Sequence, residues 1–285
     1  MPFKTQPRKT FSLNAIPLSA MIGLAGIAIA LICALFAPWL APHGETEVVG
    51  PIWLPMSSEY LLGTDNLGRD LLSRLIFGAR TTIFVALAAT VISFSLGMLL
   101  SFTAAVTGGF VDQGLSRLND LMMAIPTLIF ALVVLAVLPQ NIWILIIVMA
   151  ILDSTRVFRI GRAVALDVAV MEFVEAARLR GEGSVWIIFR EILPNTLSPL
   201  LAEFGLRFAF SILFLSTLSF LGLGIQPPAA DWGGMVKDNK DGIIFGISAA
   251  LIPGTAIATL AICVNLVVDW LMKRTSSLKG GRGDV

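Results

Sequence analysis

Long uncharged apolar runs alternate with short polar segments along this 285-residue chain. Leu18–Leu40, Thr81–Val106, Leu121–Leu138 and Ile243–Val268 hold no Asp, Glu, Lys or Arg. Each reaches or exceeds the roughly 18 apolar residues that cross a bilayer as a helix. Two further segments are less clean. Ile142–Leu152 is short, so its helix has to continue through Asp153 toward Ile160 to cross. Leu197–Leu223 is long enough but carries Glu203 and Arg207. Pro139-Gln140-Asn141 supplies a tight hairpin between the third and fourth runs. The pattern predicts an all-α, polytopic membrane protein with six transmembrane helices over 18–272. An even number puts both termini on one side.

Composition agrees. The chain is 56% hydrophobic and only 14% charged, with a mean hydropathy of +0.88; an ordinary soluble domain carries about 25% charged residues. The first run is too long for the apolar core of a cleavable signal peptide, and Pro38-Trp39-Leu40-Ala41-Pro42 is a poor cleavage context. Cys33 and Cys263 each fall inside a run and read as small apolar residues, not a disulfide framework. A net charge of +1 gives no nucleic-acid signature, and a single histidine, His43, gives no metal site.

Lysines and arginines set the orientation, because short basic segments stay on the side of synthesis. With the N-terminus inside, the outer segments hold Arg69, Arg74, Arg80, Lys237 and Lys240. The inner segments hold 14 of the 20 basic residues, and Arg207, within a span, completes the count. Both termini are therefore expected in the cytoplasm. Residues 1–17 and 275–285 read as mobile tails.

The polar segment 153–196, cytoplasmic under this orientation, contains EAARLRGEGSVWIIFREILPN, residues 175–195. Val170, Phe173, Val174 and Ala177 recur at helical spacing over Val168–Arg180, with Glu172, Glu175 and Arg178 on another stripe. Gly181 and Gly183 break this helix in a left-handed cap. Ser184 is expected to cap a second short helix through Phe189, and Pro194 to end the unit. The small Ala176 and Ala177 offer close approach to another backbone, and Glu175 an acceptor.

Two more motifs flank the spans. Leu62-Gly63-Thr64-Asp65-Asn66-Leu67-Gly68-Arg69-Asp70 continues through Ser73-Arg74. Thr64 or Asp65 is expected to cap a surface helix with Leu67, Leu71, Leu72, Leu75 and Ile76 on its apolar face, and Asp70 to pair with Arg74. After the fifth run come Leu218-Ser219-Phe220-Leu221-Gly222-Leu223-Gly224 and Asp231-Trp232-Gly233, with Trp232 suited to the membrane–water boundary.

The spacing Glu175-Ala176-Ala177, Gly181, Leu193-Pro194 resembles the EAA loop of ATP-binding-cassette importer permeases. With the two flanking motifs, the chain resembles the second membrane subunit of the dipeptide/oligopeptide/nickel branch over about residues 15–272. The resemblance implies a type I importer permease fold. It also implies a heterodimer with a second permease and two ATPases below, which bind the ATP and magnesium; an external binding protein delivers cargo. The loop carrying Glu175, Ala176, Ala177, Gly181, Gly183, Leu193 and Pro194 would meet the ATPase. The outer loops 41–79 and 225–242, with Gly63, Thr64, Asp65, Gly68, Arg69, Asp70, Arg74 and Trp232, would meet the binding protein. No cofactor is expected in this chain itself, and the location implied is a bacterial cytoplasmic membrane.

Two features depart from the family pattern. Glu191 stands where isoleucine is frequent, and Phe214-Leu215-Ser216 lacks the acid many relatives carry. An ion-coupled transporter would require inverted repeats or several intramembrane carboxylates. Glu203, with Arg207 one turn away, reads as the one carboxylate well within a span, and this pair is the candidate for the translocation path. The chain has no nucleophile–base constellation and no phosphate-binding loop, so catalysis is assigned to the partner ATPases. Di- or oligopeptides are the expected cargo, with nickel, opines or oligosaccharides as alternatives.

Overall fold

The computed structural model describes residues 16–279, with side chains through Arg274. The predicted N-terminal tail therefore lies outside the described residues apart from positions 16 and 17, as does Arg282. Among the described residues the structure is helical, with no strand and only two isolated bridges, Val48 with Arg69 and Thr64 with Asp70.

Five long helices and one bent pair make up the membrane domain. Helix α1 (Leu18–Leu35) is followed by a single turn, α2 (Ala37–Leu40). Helix α3 (Leu71–Thr107) runs for 37 residues, about 55 Å at 1.5 Å per residue. Helices α4 (Gly109–Ala124) and α5 (Thr127–Val137) meet at 83° across Ile125-Pro126, where proline removes a donor and forces the break. Helix α6 (Ile142–Ala169) begins at Asn141, whose side chain accepts the Trp143 N–H, so the predicted hairpin is present. After α7 (Glu172–Leu179) the chain turns into α8 (Ser184–Ile187), passes through one π-helical turn at Ile188–Ile192 and enters α9 (Leu193–Phe220). The last elements are α10 (Trp232–Asn239) and α11 (Leu251–Lys279).

Four helices are long and apolar enough to cross a membrane, and five when the bent pair counts as one span. Six is reached with α6, whose 28 residues are long enough but whose second half carries Asp153, Arg156, Arg159 and Arg162. The last span lies further along than its apolar run: 240–250 forms two short 3-10 turns, and α11 then passes Val268 and continues to Lys279. The expected tail at 275–285 is thus helical at its start.

Helix α3 is the central element, packed along α6 and against α9, while α1 lies on α11 at the periphery. Close approach of α3 to α6 depends on Gly97, where a methyl group would stand 2.6 Å from Val157 and 2.8 Å from the Ser154 carbonyl. Apolar residues form three clusters along the bundle: one around Leu71, Ile212 and Trp232, one around Val85, Ile146 and Leu215, and one around Phe102, Val174 and Ile192.

Candidate coupling loop, outer loop and intramembrane charge cluster

The 172–192 loop is a short helix, a corner and a second helix, with boundaries that differ from those expected. Val170 lies in the break before α7, exposed, so the apolar stripe reduces to Val174 and Ala177. Both are fully buried against Phe102, Ala165 and Ile187. Ala177 thus faces its own bundle, leaving Ala176 and Glu175 as the exposed members of the EAA triplet. Gly181 has φ +83°, with the Glu182 N–H donating to the Ala177 carbonyl at 3.2 Å and the Gly181 N–H to Arg178 at 2.9 Å. This paired closure satisfies the last carbonyls of α7 and requires a residue comfortable in the left-handed region.

Three expectations for this loop are corrected. Gly183, at φ −76°, is extended and contributes no left-handed cap. Ser184 is not the cap of α8; Gly183 holds that place and no side chain caps it. Pro194 does not end the unit but sits directly after the π-helical turn, at the start of α9, and a helical path runs from Ser184 to Phe220. Leu193 is half-buried against the inner cluster, while Pro194 is exposed. Leu179 (84% exposed), Val185 and Phe189 project around the Gly181 corner.

The outer motif folds the chain on itself. Asp65 is buried, accepts the N–H groups of Leu67 and Arg69, and lies 2.7 Å from Arg69 Nε and 3.3 Å from Arg74 Nε. The Arg74 Nε–H makes no hydrogen bond to that oxygen, so the contact is an ion pair. Arg74 therefore pairs with Asp65, and not with Asp70. Asp70 instead caps α3, accepting from the Ser73 N–H and hydroxyl. No separate surface helix forms: Leu71, Leu72, Leu75 and Ile76 are the first turns of α3, and Leu67 is exposed in the loop before it. Thr64 is likewise no cap, since its hydroxyl donates to the Pro51 carbonyl and accepts the Leu54 N–H. Gly63 and Gly68 both have φ near +75°, and at Gly68 a methyl group would stand 2.0 Å from the Gly50 carbonyl.

Trp232 is buried, not interfacial. Its indole N–H donates to the Leu75 carbonyl at 2.9 Å, and its backbone N–H to Thr82 Oγ1. Beside it Asp231 caps α10 by accepting the Gly234 N–H; burial pushes this carboxyl above the usual carboxylate range, and that hydrogen bond opposes the rise.

Within the membrane domain Arg207 Nε lies 2.7 Å from Glu203 Oε1, as the sequence led one to expect, although the Nε–H again makes no hydrogen bond to the oxygen. The sequence reading missed the partner on the next helix. Arg207 Nη1 lies 3.4 Å from Asp153 Oδ1, and Ser93 Oγ of α3 is 3.4 Å from Asp153 Oδ2. Asp153 is buried, so Glu203 is not the one carboxylate inside a span. Extending the fourth span to a length that can cross already carried Asp153 into the membrane, and that was the available signal. Arg156, one turn on, approaches Asp153 at 4.0 Å and lies over the Phe210 ring at 4.4 Å. Farther along α6, Arg162 makes a two-pronged ion pair with Asp112 of α4.

Comparison with known proteins bears on this arrangement. Residues 94–277 match the family described as "Binding-protein-dependent transport system inner membrane component". Residues 19–51 match the "N-terminal TM domain of oligopeptide transport permease C". The chain is 37% identical to the di/tripeptide transport system permease protein of Pseudomonas aeruginosa (strain UCBPP-PA14) over 259 residues, 88% of this chain and 86% of the relative. It is 38% identical to a putative peptide transport system permease protein of Brucella suis biovar 1 (strain 1330), covering 89% and 86%. The dipeptide transport system permease protein of Escherichia coli (strain K12) is 35% identical, covering 88% and 86%.

Proposed function

Because the chain belongs to the family of binding-protein-dependent transport system inner membrane components, we propose that it carries di- or oligopeptides across the cytoplasmic membrane as one half of a heterodimeric channel. Family membership makes it a multi-pass permease subunit of an ATP-driven importer, which works with a partner ATPase and a substrate-binding protein. The catalytic step belongs to the ATPase.

The observation that carries the cargo assignment is the similarity to permeases named for di- and tripeptide transport, over nearly the whole of both chains. The second permease is a different chain in this reading, and both termini are cytoplasmic, as the basic residues favour. The domain organisation is a membrane domain over 18–272, and the coupling segment expected at 153–196 begins in this reading only after α6, at about residue 170, because Asp153 and Arg156 lie within that span.

Force enters through the loop around Gly181. Exposed Glu175, Ala176, Leu179, Val185 and Phe189 form the face offered to the ATPase. Buried Val174, Ala177 and Ile192, with half-buried Leu193, fix that face to the inner ends of α3, α6 and α9. A push on the corner is thereby delivered to the helices as a rigid movement. At the other end, the loops 41–79 and 225–242 receive the binding protein. Asp65, Arg69, Asp70 and Arg74 act there as the internal frame of that surface, because their side chains are buried. Glu203 and Arg207 lie along the path at the contact between α6 and α9.

The test is uptake by the reconstituted complex together with the ligand that copurifies with the cognate binding protein. Peptide in the binding protein and ATP-dependent peptide uptake are expected. A bound metal ion or sugar, with no peptide uptake, contradicts the cargo assignment.

A further inference from the structure

We propose that Arg156 is a carboxylate-binding residue on the translocation path, taking the C-terminal carboxylate of the passing peptide against the face of Phe210. The inference rests on the peptide reading above.

The position comes first. Arg156 lies 14 residues into α6, about 21 Å from its start, and Arg207 lies about 20 Å from the end of α9 at Phe220. Ile142 and Leu218, near those two ends, share one apolar cluster, so the two arginines occupy the same layer of the bundle. About 21 Å falls within the roughly 30 Å hydrocarbon thickness. A charged group at that depth faces protein or a water-filled cavity, because contact with lipid is strongly disfavoured.

The two arginines differ in how their charge is met. Arg207 is only 17% exposed and lies between Glu203 and Asp153. Arg156 is 33% exposed, its nearest carboxylate is 4.0 Å away, and Asp153 is already engaged by Arg207 and Ser93. A guanidinium has five N–H donors in a planar fork. For Arg156 one of them, on Nη2, reaches Thr127 Oγ1 at 3.4 Å, in the first turn after the bend at Pro126. The guanidinium carbon lies 4.4 Å from the centre of the Phe210 ring, a cation–π contact that covers part of the group. The guanidinium, one-third exposed, keeps N–H donors that no protein group among the described residues accepts, and a planar fork of this kind binds a carboxylate through two parallel hydrogen bonds.

Arg156 also touches three parts of the bundle: α6, the Phe210 face of α9, and the start of α5 through Thr127. A carboxylate drawn to it therefore arrives where the bent pair meets the central helices. Arg159, one turn further along α6, is exposed and makes no ion pair among the described residues, so a second cation follows along the helix.

The experiment uses the full complex in proteoliposomes, with a free-acid dipeptide and its C-terminal amide. Each is supplied at a concentration that saturates the binding protein by its own binding isotherm, so that the maximal rates compare the membrane steps alone. In the wild-type complex the acid is expected to move about tenfold faster than the amide. Arg156→Gln removes that preference and brings the acid down to the amide rate, while ATP hydrolysis stimulated by the binding protein stays within about twofold. Arg156→Lys, which keeps the charge but not the fork, retains part of the preference. Equal loss of acid and amide transport in Arg156→Gln assigns the residue a structural role and overturns the proposal, as does an unchanged acid-to-amide ratio. A wild-type complex that carries neither peptide overturns the cargo reading, and this inference with it.

Discussion

Arg207 Nη1 stands 3.4 Å from Asp153 Oδ1, joining α9 to α6 through a buried carboxylate that also faces Ser93 of α3. Arg207 therefore serves two acids, Glu203 on its own helix and Asp153 on the next. Arg207→Gln leaves Glu203 without a cation and Asp153 with only the looser contact to Arg156 at 4.0 Å, and breaking a buried pair in this way costs about 3–5 kcal/mol. The expected result is a lower melting temperature of the purified complex and loss of transport. Adding Glu203→Gln alone leaves Asp153 with only Arg156, at 4.0 Å, and restores little. The triple change with Asp153→Asn leaves no carboxylate behind and regains most of the lost melting temperature. A single Arg207→Gln variant with unchanged melting would contradict the pairing.

Asp65 gives a parallel case in the loop before α3, where it holds Arg69 and Arg74 and two backbone N–H groups. Asp65→Asn removes the charge that both guanidiniums face. Amide hydrogen exchange across residues 45–70 should accelerate at least tenfold, while the exchange of α7 and α9 stays unchanged. Unaltered protection of the outer loop would show that Asp65 does not organise it.

Much of the bundle was legible from apolar run length, because a charge-free stretch of some 18 residues has few stable places other than a membrane. The Gly181 corner was legible too, since a glycine closing an amphipathic stretch marks a left-handed cap. What escaped was long-range pairing. The i,i+4 spacing of Asp70 and Arg74 suggested a local pair, but Asp70 was needed to cap α3, and Arg74 turned to Asp65. Asp153 was hidden for a similar reason, as its partner Arg207 lies on another helix and only packing brings them together. Trp232 looked interfacial because tryptophan favours that zone; here the Leu75 carbonyl satisfies its N–H and permits burial.

Orientation is open to direct labelling. With the loop 172–192 in the cytoplasm, a single cysteine at exposed Ser184 should resist a membrane-impermeant thiol reagent in intact cells, and one at exposed Ser57 should react. Labelling of the Ser184→Cys variant from outside would invert the topology and remove the ATPase from reach of the loop.

Transmission of force through the Gly181 corner is tested most directly by Gly181→Pro in the reconstituted complex. Proline fixes φ near −65° and removes the N–H that donates to Arg178, so it abolishes the +83° turn without touching the buried side chains of α7. The variant should assemble with its ATPases. Transport should be lost, with ATP hydrolysis stimulated by the loaded binding protein reduced at least tenfold. Wild-type transport by the assembled variant would contradict the claim that this corner couples ATP hydrolysis to the movement of the membrane helices.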